Sequence, residues 1–214
     1  MVTLKELFKT KNHPVITKLI INNILYSSGW ALINPIFALY VINYITLATP
    51  QTVGICYALY WFIKGVLQLY VSHYLDHIDG ETDDYLALLS GQFINILVPL
   101  ALLISKTPLE LYLIFTLYGI ADALAYPSWN SIFTRYINPK KVSFEWSLNG
   151  TGVNLGSAIA ILASSILLLV LGFKAVLLLV ALAQFGAFLA VFSLRKHFLH
   201  KKKIIPEYYI PFRV

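Results

Sequence analysis

Between Leu19 and Leu194 the chain divides into six apolar segments, each 20 to 27 residues long, separated by short stretches that hold most of the charges. The segments are Leu19 to Ile45, Thr52 to Leu75, Tyr85 to Ile104, Leu109 to Phe133, Ser147 to Leu171 and Ala175 to Leu194. About 20 apolar residues suffice to carry an α-helix across the hydrocarbon core of a bilayer. Only helices and closed barrels satisfy their backbone in lipid, and runs of this length are too long for the alternating strands of a barrel. The expected fold is therefore an all-α polytopic membrane protein with six transmembrane helices. Composition agrees: 58% of the 214 residues are hydrophobic and 12% charged, where a soluble domain carries about a quarter charged. Six spans account for nearly all the apolar content, which leaves no second domain. Residues 1–18 read as a cytoplasmic amphipathic segment, 19–195 as the membrane domain and 196–214 as a basic cytoplasmic tail.

Orientation follows from the cations, since Lys and Arg concentrate on the cytoplasmic side. With both termini inside, thirteen of the sixteen fall in the cytoplasm, Lys106 and Lys174 fall outside, and Lys64 lies in a span. This predicts an integral protein of the plasma (cytoplasmic) membrane with both termini cytoplasmic. Leu4, Leu7 and Phe8 share one helical face opposite Lys5, Lys9 and Lys11, which suits a helix lying in the interface; a frayed tail is the plainer alternative. The apolar segment that follows is too long for a signal peptide and lacks a small-residue cleavage site, so the start reads as retained. The basic tail would sit against anionic head groups as a topology anchor. The Lys and Arg residues cluster at the ends of apolar runs and form no basic patch interleaved with base-stacking aromatics, so no nucleic-acid partner is expected. The single Cys56 excludes an internal disulfide.

Two charges stand where lipid should be. Lys64 lies about twelve residues from either end of the second span and Asp122 is similarly central in the fourth, so both reach the midplane. A charge there costs about 2.5–3.5 kcal/mol on insertion scales and faces a bundle interior or water. Opposite signs at equal depth predict a pair, which either locks two helices together or stands in a substrate or proton path. Each charge has companions at helical spacing: Tyr57, Trp61 and Gln68 beside Lys64, and Tyr118, Tyr126, Trp129 and Asn130 beside Asp122. The first span adds Tyr26, Trp30, Asn34 and Phe37, and the fifth adds Asn149, Gly150 and Asn154. These stripes predict a pathway through Lys64, Asp122, Asn34, Trp30, Trp61, Gln68, Tyr126, Trp129, Asn130 and Asn154, with helix packing as the bland reading of any one aromatic. Gly150, Gly152 and Gly156 form a small-residue packing face.

Pro35 and Pro127 fall at corresponding places of two three-helix groups, which predicts interrupted helices at the interface of inverted repeats. Catalytic patterns are scarce. No GxSxG, intramembrane carboxylate pair or Gly-rich phosphate loop is present, and the histidines lie near the membrane surface, so no enzyme is expected. His73, Asp76, His77 and Asp79 make a helix-end cluster, which without a further ligand reads as solvated; neither metal nor cofactor is expected.

From Gly119 through Phe173 the chain resembles the amino-terminal six-helix half of the major facilitator superfamily, in Gly119, Pro127, the basic turn Asn138-Pro139-Lys140-Lys141, Trp146 and Gly150 to Gly156. After the second span, Ser72 and Asp76 match the family's small residue and aspartate, while His77 replaces its Arg and Glu81, Asp83 and Asp84 replace basic residues. The resemblance implies an alternating-access secondary transporter of a small solute, coupled to protons or another ion, with Asp76 in a gating loop. It implies that helices one, two, four and five line the cavity and that helices three and six face lipid. Because the family uses two halves, a parallel homodimer or a partner half is expected. The other reading is a non-transporting scaffold derived from a transporter fold.

Overall fold

The computed structural model describes residues 13–77 and 80–199, and every regular element among them is helical. Helix α1 runs over Pro14–Ile33, opened by Pro14 at its first position and by the His13 ring, whose Nδ1 accepts from the Val15 amide. The segment thus starts five residues before the expected Leu19. Proline cannot donate to the helical ladder, and at Asn34–Ile36 the helix tightens into a 3-10 turn around Pro35 before continuing as α2, Phe37–Tyr44. Helix α3 spans Pro50–His77, α4 Thr82–Ile104, α5 Pro108–Tyr136 and α6 Val142–Phe192, with a short α7 over Arg195–Leu199.

Helix α5 starts with a capping box in which Thr107 and Glu110 satisfy each other's end of the first turn. The expected break at Pro127 does not occur, because α5 continues on both sides of it, as prolines inside membrane helices often permit. Pro99 likewise lies within α4.

Among the described residues five helical stretches are long and apolar enough to cross a membrane, where the sequence reading had six segments. The difference lies in α6, whose 51 residues are interrupted at Gly172, with φ 77° and ψ 171°, a conformation that side chains with a Cβ resist. Contacts fix the direction of its two arms. In residues 142–171, Asn149 meets Asn23, and Gly152 and Gly156 lie against Ile24 and Ser28. In residues 173–192, Phe173 packs on Tyr40 and Tyr44, Gln184 donates to the Tyr26 carbonyl, and Asn22 donates to the Ala187 carbonyl. The first arm therefore runs parallel to α1 and the second antiparallel to it, so the chain reverses at Gly172.

Close packing rests on small residues. A Cβ on Gly91 of α4 would lie 2.4 Å from the Ala121 carbonyl oxygen of α5, and one on Gly29 would meet Gln184 and Ala183. Of the expected packing glycines, Gly152 and Gly156 do press against α1, whereas Gly150 meets nothing within 4 Å. Gly152 and Gly156 thus serve packing within the chain, against Ile24 and Ser28 of α1.

One end of the bundle gathers the described basic residues Arg135, Lys140, Lys141, Arg195 and Lys196, while Lys106 and Lys174 lie beside the Tyr44–Thr46 end. At the basic end Arg135 pairs with the fully buried Asp84, which also accepts from Ser131, and Arg135 reaches the Gly80 carbonyl. Tyr136 donates to Glu81 at 2.6 Å and lies 2.8 Å from His197, tying α4, α5 and α7 together. Arg135→Ala leaves Asp84 buried with one hydroxyl partner and should destabilise the protein by about 2–3 kcal/mol, more than Asp84→Asn. Denaturant unfolding of both variants in lipid discs checks the order; equal losses would show that burial of the unpaired carboxylate is not the cause. Residues 1–12 and 200–214 lie outside the described residues, so the amphipathic amino-terminal segment and most of the basic tail have no structural counterpart here.

Candidate functional site

Lys64 stands fourteen residues from Pro50 in α3, and Asp122 fourteen from each end of α5. Where these helices pack together, the two side chains meet at 2.9 Å. Asp122 is 4% exposed, and its carboxylate is filled. Oδ1 accepts from Tyr26 Oη at 2.6 Å and from Asn95 Nδ2 at 3.2 Å, while Oδ2 accepts from Tyr60 Oη at 2.6 Å and from Lys64 Nζ at 2.9 Å. Four donors supplied by α1, α3 and α4 therefore converge on one residue of α5. A carboxylate saturated in this way holds its charge at modest cost, because each lone-pair direction has a partner.

Lys64 is less enclosed. Its ammonium donates to Asp122 and to Tyr60 Oη, 3.1 Å away, and lies 5.0 Å from the Tyr126 ring centroid and 5.4 Å from those of Tyr60 and Trp61. Such ring faces favour a cation that has left water. Behind the pair Trp30, Tyr118 and Tyr60 stack into a column, each neighbouring pair of rings 4.2 Å apart.

The pair opens on a cavity of about 480 Å³. Its wall is formed by α1, α3, α5 and the first arm of α6, with Asn34 from the 3-10 turn and Gln92 from α4. The expected lining by the first, second, fourth and fifth spans agrees with this arrangement, but the third span also contributes, through Gln92 at the wall and Asn95 behind Asp122. Among the described residues, charge on the wall is confined to Lys64 and Asp122; the other polar groups are amides, hydroxyls and indoles.

Of the ten residues expected in the pathway, Lys64, Asp122, Asn34, Trp30, Tyr126, Trp129 and Asn130 line the cavity. Trp61, Gln68 and Asn154 do not. Trp61 is 62% exposed and touches Lys64 only through its ring, Gln68 is half-buried along α3, and Asn154 is exposed on the outer side of α6. Asp76 is exposed at the end of α3, two residues before the undescribed Ile78 and Asp79, so no partner across that loop is defined. The His73 and His77 rings meet at that end, tilted 53° to each other, and among the described residues no cluster of three metal-ligating side chains forms. Sequence reading missed Tyr60, Gln92 and Asn95. Tyr60 carries the legible signal, one turn before Lys64 on the face that also bears the buried Thr52 and Cys56.

The profile of the family described as Major Facilitator Superfamily matches residues 19–209. No curated protein matches the chain. Among solved structures it is similar to the peptide transporter POT in complex with sulfate, with 17% identity, a TM-score of 0.70, and coverage of 86% of this chain and 38% of that one. It is also similar to the POT family transporter PepTSo, with 17% identity, a TM-score of 0.67, and coverage of 88% and 39%. A POT variant in complex with alafosfalin gives 16% identity, a TM-score of 0.69, and coverage of 86% and 39%. At such identities the likeness is one of fold. The chain spans about two fifths of the length of these structures.

Proposed function

This chain belongs to the major facilitator superfamily, and from that membership together with the cavity we propose that it forms one half of an alternating-access secondary transporter for a small solute. The single observation that carries the reading is the Lys64–Asp122 pair opening on a polar, aromatic-lined cavity at mid-depth, where an intramembrane charge is costly unless it is used. The integral membrane placement follows from the apolar helices and the family. On this reading the two arms of α6 are separate crossings, six in all, and the basic end of the bundle faces the cytoplasm of the plasma membrane. Cysteine labelling checks the orientation: labelling from outside at Lys140 or Lys196 would overturn it.

A second half completes the site, and two flanking faces support its position. Trp61, Phe62, Leu69, Tyr70 and Tyr74 of α3 and Leu155, Ile159, Leu162, Ile166 and Leu169 of α6 are exposed, and Gly54, Gly65 and Gly150 meet nothing within 4 Å. A parallel second copy is the proposed partner, with a separately encoded half as the alternative. Mass measurement in lipid discs decides between them: a dimer is expected, and a monomer active in flux would refute pairing.

Transport itself is tested by reconstituting the chain in liposomes and following uptake of a solute panel with and without a pH gradient. Saturable uptake that depends on Lys64 and rises with an inward proton gradient is expected. One observation favours the non-transporting scaffold, namely the closure of Asp122 by four donors, as a lock between helices would require. Absence of flux from a folded, paired protein would establish that reading.

A further inference from the structure

Resting on the transport reading, we propose that the solute is a monocarboxylate with a hydrogen-bonding body, that its carboxylate takes over Lys64, and that one proton settles on Asp122 in exchange. The cavity treats its two charges unequally. Asp122 has no acceptor capacity left, with two donors on each oxygen, so a cationic group entering from the cavity finds no vacant carboxylate and meets the Lys64 ammonium. Lys64, which lines the cavity with its ammonium 5.0 Å from the Tyr126 ring centroid, spends two of its three N–H groups on Asp122 and Tyr60 and has a third to give. Of the two charged groups on the wall, Lys64 therefore has a hydrogen bond to give an anion, whereas Asp122 has no lone pair left for a cation.

Two further polar groups are open to the body of the same solute. Trp30 and Gln92 both line the cavity and are 5% and 4% exposed, and among the described residues the Trp30 Nε1–H donor and the Gln92 Oε1 acceptor have no hydrogen-bond partner. Buried polar atoms without partners are rare and costly in native proteins. One donor and one acceptor beside an ammonium match a carboxylate that carries a hydroxyl or amide.

Charge balance supplies the coupling. Two carboxylates facing one ammonium repel each other strongly, and among the described residues no other cation lines the cavity. The titratable groups around Asp122 are Lys64 and Tyr60 from α3, Tyr26 from α1 and Tyr118 from α5; α4 presents the amides Gln92 and Asn95, and the α6 wall presents Trp146 and Asn149. When the solute arrives, Lys64 Nζ moves its hydrogen bond from Asp122 Oδ2 to the solute, and a proton from the aqueous side adds to Asp122. No heavy-atom bond forms or breaks. The loaded site carries the same net charge as the empty one, which makes the step electroneutral.

The test is binding to the full chain in lipid discs, read by tryptophan fluorescence, because Trp30, Trp129 and Trp146 line the cavity. The probes are lactate, phenyllactate, benzoate and gluconate, each beside its primary amide. At least one acid should bind tenfold or more tighter than its amide, with an affinity that rises about tenfold per unit fall in pH while the solute stays ionised, as uptake of one proton requires. Lys64→Gln should erase the preference for the acid. Asp122→Asn should keep it and lose the pH dependence. Trp30→Phe removes an N–H without a protein partner, so stability should hold while affinity for a hydroxylated acid falls about tenfold, roughly one hydrogen bond. Amides binding as well as acids, no probe binding, or an unchanged preference in Lys64→Gln would each overturn the proposal. Acid-selective, proton-linked binding without flux would uphold it and remove the transport reading; flux of a neutral solute would do the reverse.

Discussion

Asp122→Leu should cost the protein about 3–5 kcal/mol, the usual range when one partner of a buried ion pair is removed. The loss exceeds that of Lys64→Met, and the environments of the two residues explain why. Without Lys64, the carboxylate keeps Tyr26, Tyr60 and Asn95. Without Asp122, those three donors lose their acceptor inside the bundle and Lys64 loses its counter-ion. The double change Lys64→Met with Asp122→Leu removes both charges but leaves the two tyrosines and the asparagine unsatisfied. Its stability should lie near that of Asp122→Leu alone, with a coupling energy of about 1–3 kcal/mol between the sites. Removing both charges therefore does not restore the fold, because charge is only part of what Asp122 satisfies. Flux should be absent from the folded double variant. Unfolding of the four proteins in lipid discs measures the cycle, and strictly additive losses would show that the two charges do not interact.

Gly91→Val should be as damaging without touching a charge. Overpacking a tight contact costs about 1–3 kcal/mol and more where nothing flexible can yield. At Gly91 the obstacles are the Ala121 carbonyl oxygen and the Ala125 amide nitrogen, both backbone. Helix α4 must then move off α5 and take Asn95, one turn further along the same face, away from Asp122. A loss of at least about 3 kcal/mol is expected, together with impaired flux in whatever folds. Gly150→Val, at a position open to at least 4 Å, should leave the isolated chain unchanged in stability. A Gly91→Val protein as stable as its parent would show that the helices have slack at this crossing.

The midplane pair was legible from sequence because depth and sign are one-dimensional quantities: counting residues from the span ends places Lys64 and Asp122 at one level, and the cost of isolated charge pairs them. The choice of companions on α3 was only partly legible. Residues 57, 61, 64 and 68 satisfy helical spacing as well as 56, 60 and 64 do, and only the partner helix decides which row faces inward. The row that packs on α5 runs through Cys56 and Tyr60, and Trp61 turns outward. On α6, Asn149 faces the cavity, and Asn154, five residues on, is rotated about 140° from it at 100° per residue. Gln92 and Asn95 carried no signal, being amides on a span that the family resemblance assigned to lipid. Gly91 was hidden because a glycine's use depends on the backbone opposite it. The Gly172 reversal was anticipated as a minimal connection between two apolar runs, and its non-helical dihedrals turn the chain there without a loop.

Synthesis of the chain presents the ion pair with a problem of timing. Lys64 and Asp122 are separated by 58 residues, and ribosomes add about 5–20 residues per second, so the lysine awaits its carboxylate for about 3–12 s. During that interval a midplane ammonium costing about 2.5–3.5 kcal/mol must be retained by the translocon or drawn toward an interface, since its aromatic neighbours Tyr60 and Trp61 offset only part of the cost. A nascent chain arrested before Asp122 should therefore hold its second span loosely and expose it to proteolysis, and one arrested well beyond Tyr136 should hold it firmly. On this view the residue that pairs with Lys64 also completes the membrane insertion of the helix opposite it.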